Sequence, residues 1–259
     1  MILDDIVKDR IEDYKIIKKE KPLAKIMKEA KELASGGNKL YDLCMKKDFI
    51  FICECKKASP SKGIIEENYN PDLRSREYIL GGTDCISCLT EPHRFMGSDD
   101  DLKIVVNNAK GKALVLRKDF IFSKYQIYES KVLGADIILL ICAILDEKTL
   151  KEYIDLAHEL GLSCLVETHN EDEIKMAKKC GAKVVGVNNR DLKDFSINNE
   201  LSIKLRMKYP ELIMISERGI KDINDVKIVK ESGLNGVLIG EALMRSNDPS
   251  KLLKEFIKC

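Results

Sequence analysis

From residue 49 onward the chain alternates short, almost unbroken apolar runs with longer stretches in which apolar positions recur at helical spacing. The runs are "FIFICEC" near 49, "CISCLT" near 85, "ALVLRKDF" near 113, "DIILLICAIL" near 136, "SCLVETH" near 163, "KVVGVNNR" near 183, "LIMISERG" near 212 and "GVLIGEAL" near 236. Short runs without polar alternation read as strands buried on both faces, the habit of parallel sheets. Between them, segments such as "EKTLKEYIDLAHELG", "EDEIKMAKKCG" and "DINDVKIVKESG" read as amphipathic helices that stop at glycine, the residue that most easily takes the left-handed helix-end conformation. Eight strand–helix units of this kind predict an α/β fold closed as a (β/α)8, or TIM, barrel. Residues 2–46 form a lysine-rich amphipathic segment that reads as two helices broken at Pro22. Residues 1–259 are accordingly read as a single barrel domain, with 1–46 as its N-terminal helical extension. A doubly wound open sheet is the competing architecture, but no GxGxxG or Walker sequence follows any of the strands to hold a nucleotide.

Composition narrows the functional classes. At 259 residues the chain has the usual size of one closed barrel, about 250. Its formal net charge of +1 gives no reason to expect nucleic acid or an anionic membrane as partner, and a small substrate is expected instead. The start "MILDDIVKDRIEDYK" is charged throughout, unlike a signal peptide, and no run approaches the length of a membrane span. Cysteines fall mostly in the apolar runs (Cys53, Cys55, Cys85, Cys88, Cys142, Cys164), where thiols act as small hydrophobes. The one CxxC, Cys85 to Cys88, lies within a strand and would turn its sulfurs to opposite faces, a poor zinc or redox site. Reduced thiols and a cytoplasmic location are expected.

Candidate chemistry sits at the C-terminal ends of the strands, where barrels place their active sites. In order these ends carry Glu54 and Lys56; Thr90 and Glu91; Arg117, Lys118 and Asp119; Glu167; Asn188, Asn189 and Arg190; Ser216, Glu217 and Arg218; and Gly240 and Glu241. The fourth strand offers only apolar groups. Strand parity puts Glu54 and Lys56 on the side of Ile50 and Ile52, and turns Lys57 away. Each position alone reads as a solvated loop residue. Together they read as a polar pocket with apolar walls, in which crowded lysines and glutamates tune one another for proton transfer. His93, His158 and His169 lack any metal-binding spacing and read as surface or supporting residues, so no metal is expected. Gly219 and Gly240 follow the last two strands, a common phosphate position in barrels. From the residues alone, Phe95 and Phe120 read as core.

The stretches "ECKKASPSKG" (54–63), "SCLTEPHRFMGS" (87–98), "LRKDFI" (116–121), "GADIILLI" (134–141), "LGLSCLVETHNEDE" (160–173), "VVGVNNRDL" (184–192), "SERGI" (216–220) and "VLIGEALMR" (237–245) together resemble the indole-3-glycerol phosphate synthase family, in that family's order. The resemblance implies closure of an indole ring on 1-(2-carboxyphenylamino)-1-deoxyribulose 5-phosphate, with loss of carbon dioxide and water and with no cofactor. It implies Lys118 as the general acid on the substrate ketone, and a second donor and a base among Lys56, Glu54 and Glu167. Asn188 and Arg190 would hydrogen-bond the substrate, Ser59 and Glu217 would stand at the site, and Pro60, Phe95 and Phe120 would wall the anthranilate ring. Gly219 and Gly240 would meet the phosphate, with Lys62 of the first loop above it. A monomer is expected, with association with other tryptophan-pathway enzymes left open. One position departs from the family pattern, and a second fits a phosphate poorly. Arg218 replaces a serine, and its guanidinium either pairs with the phosphate or points outward; Glu241 stands where a small residue would suit the anion. The competing functions are another sugar-phosphate barrel enzyme, an isomerase or Schiff-base aldolase, and an inactive binding barrel.

Overall fold

Eight parallel strands close on one another in chain order: β1 (Ile50–Cys55), β2 (Cys85–Leu89), β3 (Leu114–Lys118), β4 (Ile137–Ile141), β5 (Ser163–Thr168), β6 (Val184–Asn188), β7 (Ile213–Glu217) and β8 (Gly236–Ile239). The computed structural model describes residues 2–34, 36–190, 196–198 and 200–259. The seam is β8 against β1, with Ile50 opposite Gly236 and Cys53 opposite Ile239. Glycine is required there, since a Cβ on Gly236 would lie 2.5 Å from the Ile50 carbonyl oxygen.

Side-chain alternation sorts the apolar runs into two layers. Ile50, Ile52, Cys85, Leu116, Ile137, Leu139, Leu165, Val184, Ile215 and Leu238 fill the barrel. Phe51, Cys53, Cys55, Ile86, Cys88, Ile138, Leu140, Val166, Val185 and Val237 face the surrounding helices. Cys85 and Cys88 thus point to opposite sides, as the parity argument expects. Each fully buried aliphatic side chain of this kind contributes roughly 1.5–3 kcal/mol.

Three helices precede the barrel where the sequence pattern suggested two. α1 (Ile2–Glu20) and α2 (Leu23–Glu32) are separated at Pro22, whose extended backbone caps the second. The additional helix, α3 (Lys39–Lys46), plugs the N-terminal end of the barrel: Leu40 and Cys44 pack on its interior residues, and the Leu40 amide donates to Ser163 Oγ at 3.0 Å. At eight residues it is too short to separate from the flanking lysine-rich sequence by periodicity.

The remaining helices are α4 (Pro71–Gly81), α5 (Asp99–Ala109), α6 (Lys124–Val132), α7 (Glu147–Glu159), α8 (Glu171–Lys179), α9 (Glu200–Lys208), α10 (Ile223–Glu231), α11 (Glu241–Met244) and α12 (Pro249–Lys258). A short hairpin, Ala58–Ser59 against Gly63–Ile64, rises after β1. Among the described residues no helix is long and apolar enough to cross a membrane.

Candidate active site

α1 lies across the C-terminal mouth of the barrel, and two adjoining cavities open beneath it. The first is mainly apolar: Ile2, Leu3 and Ile6 of α1 face Pro60, Leu89, Phe95, Phe120, Leu139 and Ile141. Phe95 and Phe120 are tilted against each other with ring centroids 6.0 Å apart. The second is polar and rich in cations, lined by Lys56, Lys62, Lys221 and Arg245 together with Gly219, Gly240 and Glu241. Glu54, Ser59, Lys118, Arg190 and Arg218 belong to both. All the residues that the sequence nominated for the site therefore line one or the other cavity. Asp191 and Leu192, the end of the "NNRDL" stretch, lie outside the described residues.

Two charge clusters sit at the junction. In the first, Lys118 Nζ at the end of β3 lies 3.1 Å from Glu167 Oε2 on β5 and 3.2 Å from Glu217 Oε2 on β7. Asn188 Nδ2 on β6 donates to Glu167 Oε1 at 3.0 Å. In the second, Lys56 donates to Glu54 on β1. Two glycines make room for these acids. A Cβ on Gly186 would stand 2.0 Å from Glu217 Oε1, and one on Gly240 2.6 Å from Glu54 Oε1.

The two lysines are tuned in opposite directions. Burial works against the Lys118 charge, but the carboxylates of Glu217, Glu167 and Glu54 outweigh it and hold the ammonium well protonated. Lys56 is pulled below its ordinary value, by burial first and by the Arg218 and Lys118 charges next, with Glu54 opposing. The two acids beside Lys118 also diverge. Glu167 stays ionised far down in pH because Lys118, His169 and Asn188 outweigh its burial. Glu217 is pushed up to about 7 by burial and by the neighbouring Glu167 charge, Lys118 opposing, and its Oε1 is buried with no hydrogen-bond partner.

Arg190 crosses the mouth to donate to Ser61 Oγ at 2.7 Å, and its own amide donates to Asn188 Oδ1 at 3.1 Å. Arg218 answers the open question of its direction. Its backbone is left-handed, φ 70°, a conformation that costs a non-glycine residue roughly 1–2 kcal/mol. The guanidinium stands close enough to act on Glu54, Lys56, Lys118 and Arg190, so it faces the cavities. It forms no ion pair among the described residues. Glu241 is occupied instead by Arg245, 3.0 Å away, and more distantly by Lys62 at 3.9 Å.

Several strand-end residues serve elsewhere. Glu91 accepts the amides of His93, Arg94 and Phe95 at 3.0, 2.7 and 2.7 Å, which shapes the loop presenting Phe95. Asn189 holds the end of β7 through Ser216 Oγ at 3.0 Å. Arg117 and Asp119 point away from the cavities' floor, as their parity opposite Lys118 requires, although Asp119, just past the end of β3, also borders the wall of the apolar cavity. There they join a buried network with Arg10 and Tyr14 of α1, Thr90, Asp99 and Glu129. Their partners lie over a hundred positions away in α1, beyond local sequence reading. His169, read from sequence as a surface or supporting residue, lines the apolar cavity. Ile2, Leu3 and Ile6 of α1 wall it too, in keeping with an N-terminal extension that caps the barrel and helps close the site.

The model of the family described as indole-3-glycerol phosphate synthase matches residues 3–256 of the chain. A relative from Ruminiclostridium cellulolyticum, named indole-3-glycerol phosphate synthase, is 46% identical over 253 residues, covering 96% of this chain and 95% of its own. One of the same name from Lachnoclostridium phytofermentans is 44% identical over 270 residues, covering 98% of each chain. Among solved structures, thiamine phosphate pyrophosphorylase from Pyrococcus furiosus superposes with a TM-score of 0.63 at 17% identity, over 83% of this chain and 96% of that one. At that identity the likeness concerns the barrel alone.

Proposed function

The chain belongs to the indole-3-glycerol phosphate synthase family, and from that premise we propose which side chains carry its reaction. The reaction converts 1-(2-carboxyphenylamino)-1-deoxyribulose 5-phosphate to indole-3-glycerol phosphate, carbon dioxide and water; the isomerase, aldolase and inactive-barrel readings are not favoured. The observation that carries the assignment is Lys118, buried between two carboxylates at the junction of the apolar and cationic cavities. A substrate with its aromatic ring against Phe95 and Phe120, and its phosphate near Gly219, Gly240 and Lys62, brings the ketone to this junction. Lys118 protonates the ketone oxygen as the aromatic carbon attacks. Carbon dioxide then leaves from that carbon.

Dehydration needs a second donor and a base. Lys56, whose proton burial makes easier to give up, faces the leaving hydroxyl as donor, and the ionised Glu54 beside it and Glu167 are the bases at hand. Asn188 and Arg190 orient the substrate, and Ser59, Pro60 and Glu217 complete the wall. The inward guanidinium of Arg218, without a carboxylate ion pair among the described residues, takes one of the substrate's anionic groups. We further propose a monomeric enzyme whose residues 1–259 form one barrel domain with 1–46 as its extension. A cytoplasmic location is supported by nine free cysteines, eight of them buried.

The test is indole fluorescence on mixing the purified protein with this substrate in the presence of EDTA, for the parent and for Lys118→Ala. The parent is expected to turn over, and the variant to lose about 10²–10⁴ in kcat. A variant within tenfold of the parent would remove Lys118 from the acid role.

A further inference from the structure

His169 closes β5 and is almost wholly enclosed, its side chain 8% exposed, against the apolar cavity. Its two ring nitrogens meet two different carboxylates. Nε2 stands 3.2 Å from Glu167 Oε1, an ion contact out of line for a hydrogen bond, and Nδ1 stands 3.2 Å from Glu173 Oε2, the same oxygen that accepts the His169 amide at 2.8 Å. Glu173 is itself fixed in the first turn of α8: its amide donates to Asn170 Oδ1 at 2.9 Å, and its Oε1 accepts from Asn170 Nδ2 at 2.8 Å. Cys142, in the turn after β4, donates its thiol to the Glu173 carbonyl at 3.8 Å. The other charged groups on the cavity wall are Glu54, Lys118, Asp119, Arg190 and Arg218. A continuous row of charges therefore runs from the helix cap to the acid centre: Glu173, His169, Glu167, Lys118, Glu217.

We propose that His169, held by Glu173, is a positioning residue for the acid centre: it fixes Glu167 as the ionised member of the carboxylate pair around Lys118, so that the pair's mobile proton resides on Glu217. The proposal rests on Lys118 as the acid of ring closure. The surroundings of the two carboxylates differ: Glu167 has the cationic Lys118 and His169 and the amide of Asn188 around it, whereas Glu217, among the described residues, has Lys118 and the neighbouring Glu167 and keeps a buried oxygen without a hydrogen-bond partner. Burial disfavours the imidazolium, but the Glu167 and Glu173 carboxylates outweigh it and carry its pKa to about 10, so His169 is charged at neutral pH.

The proton inventory of the reaction gives this asymmetry a use. Because the substrate's carboxylate leaves as neutral carbon dioxide, each turnover takes up one proton. When Lys118 protonates the ketone oxygen, an N–H bond breaks and an O–H bond forms, leaving a neutral amine. The carboxyl proton of Glu217, 3.2 Å away, returns to that amine, and Glu217 is left as carboxylate to be reprotonated from solvent water. Were Glu167 to hold the proton instead, the ionised base beside the substrate would be lost.

The measurement is the pH dependence of kcat and kcat/KM for the parent, His169→Asn and Glu173→Gln, with circular dichroism to establish folding of each. Loss of the imidazolium lets Glu167 take up a proton at higher pH, so the acid limb rises by about 1–3 units. Near pH 7, where Glu217 titrates, Glu167 is still ionised, so the alkaline limb stays where it is and the bell narrows from its acid side. Glu173→Gln, which leaves the imidazole in place but weakens its charge, is expected to narrow it less. A residue that only supports the fold would lower kcat evenly and leave both limbs where they were. An unmoved acid limb in folded Glu173→Gln and His169→Asn overturns the proposal. Should His169→Asn fail to fold, Glu173→Gln alone decides it. If Lys118→Ala retains turnover, the acid assignment fails first, whatever these limbs do.

Discussion

Replacing Arg10 by methionine removes the charge that fastens α1 to the strand bearing Lys118. Arg10 Nη2 lies 2.8 Å from Asp119 Oδ2, with side chains 6% and 0% exposed. At that separation and an effective dielectric of about 20, the attraction is ~6 kcal/mol before the cost of burying both ions is taken off. What Asp119 keeps is Thr90 Oγ1 at 2.9 Å, the Phe120 amide at 2.8 Å and Arg117 Nη2 at 3.4 Å, and Arg117 must also serve Asp99 at 3.0 Å and Glu129 at 2.9 Å. One guanidinium is then left among three carboxylates, of which Asp119 and Glu129 are enclosed and Asp99 is partly exposed. Breaking one side of a buried pair costs about 3–5 kcal/mol, a large part of a total stability of about 5–15 kcal/mol. Urea unfolding followed by circular dichroism should report that loss. The double variant Arg10→Met with Asp119→Asn should be more stable than Arg10→Met alone, because no unpaired charge remains. KM should rise with kcat largely kept, since α1 supplies Ile2, Leu3 and Ile6 to the cavity wall but no reacting group. A single-variant loss below about 1 kcal/mol, or a double variant less stable than the single, would show that Arg117 alone satisfies Asp119 and that the buried-charge argument is wrong.

Gly186→Ala should lower kcat by about 10² or more with little change in fold, because the added methyl would fall 2.0 Å from Glu217 Oε1 and displace that carboxylate from Lys118. Steady-state kinetics beside a thermal melt check it; undiminished kcat would mean that Glu217 has no part in proton supply. Arg218→Ser should raise KM about tenfold or more, the value of one charge-assisted hydrogen bond to an anion, about 1.5–3 kcal/mol. An unchanged KM at low ionic strength would mean that its guanidinium does not touch the substrate.

The legibility of this chain follows the reach of each interaction. Barrel architecture is visible because it is written in local periods: apolar runs for strands buried on both faces, and helical spacing that ends at glycine. Glu54 and Lys56 were assignable to the interior by parity, because a strand allows only two directions. The same parity sends Arg117 and Asp119 outward, yet nothing near them in sequence supplies Arg10 or Tyr14, and charges enclosed on a barrel's outer side make sense only once α1 is folded over them. His169 reads from sequence as a surface or supporting residue, and what it supports is hidden for a related reason. It was tested for metal spacing, whereas its partners are a carboxylate two residues back, on the same face of the strand, and another in the first turn of the next helix. Gly186 looks like any strand glycine until Glu217 on the adjacent strand occupies the space beside it.

The shared wall of the two cavities also constrains where the chemistry can occur. Glu54, Ser59, Lys118, Arg190 and Arg218 border both the apolar and the cationic chamber, and Glu167 and Asn188 join them from the apolar side. On the proposed function, a substrate that is aromatic at one end and phosphorylated at the other would be oriented by two unlike chambers, and its central ketone would be delivered to this wall. An apolar chamber keeps water from the ring, which strengthens every charge interaction at the boundary. The cationic chamber, with Lys62, Lys221 and Arg245 on its wall, would offset the charge of the phosphate; Glu217 borders this chamber and Glu167 the apolar one. On this arrangement a substrate lacking the phosphate should lose kcat as well as affinity, because orientation at Lys118 comes from the far chamber. Parallel kinetics with the dephosphorylated compound decide the matter, and an unchanged kcat at saturation would mean that the ring chamber alone positions the ketone.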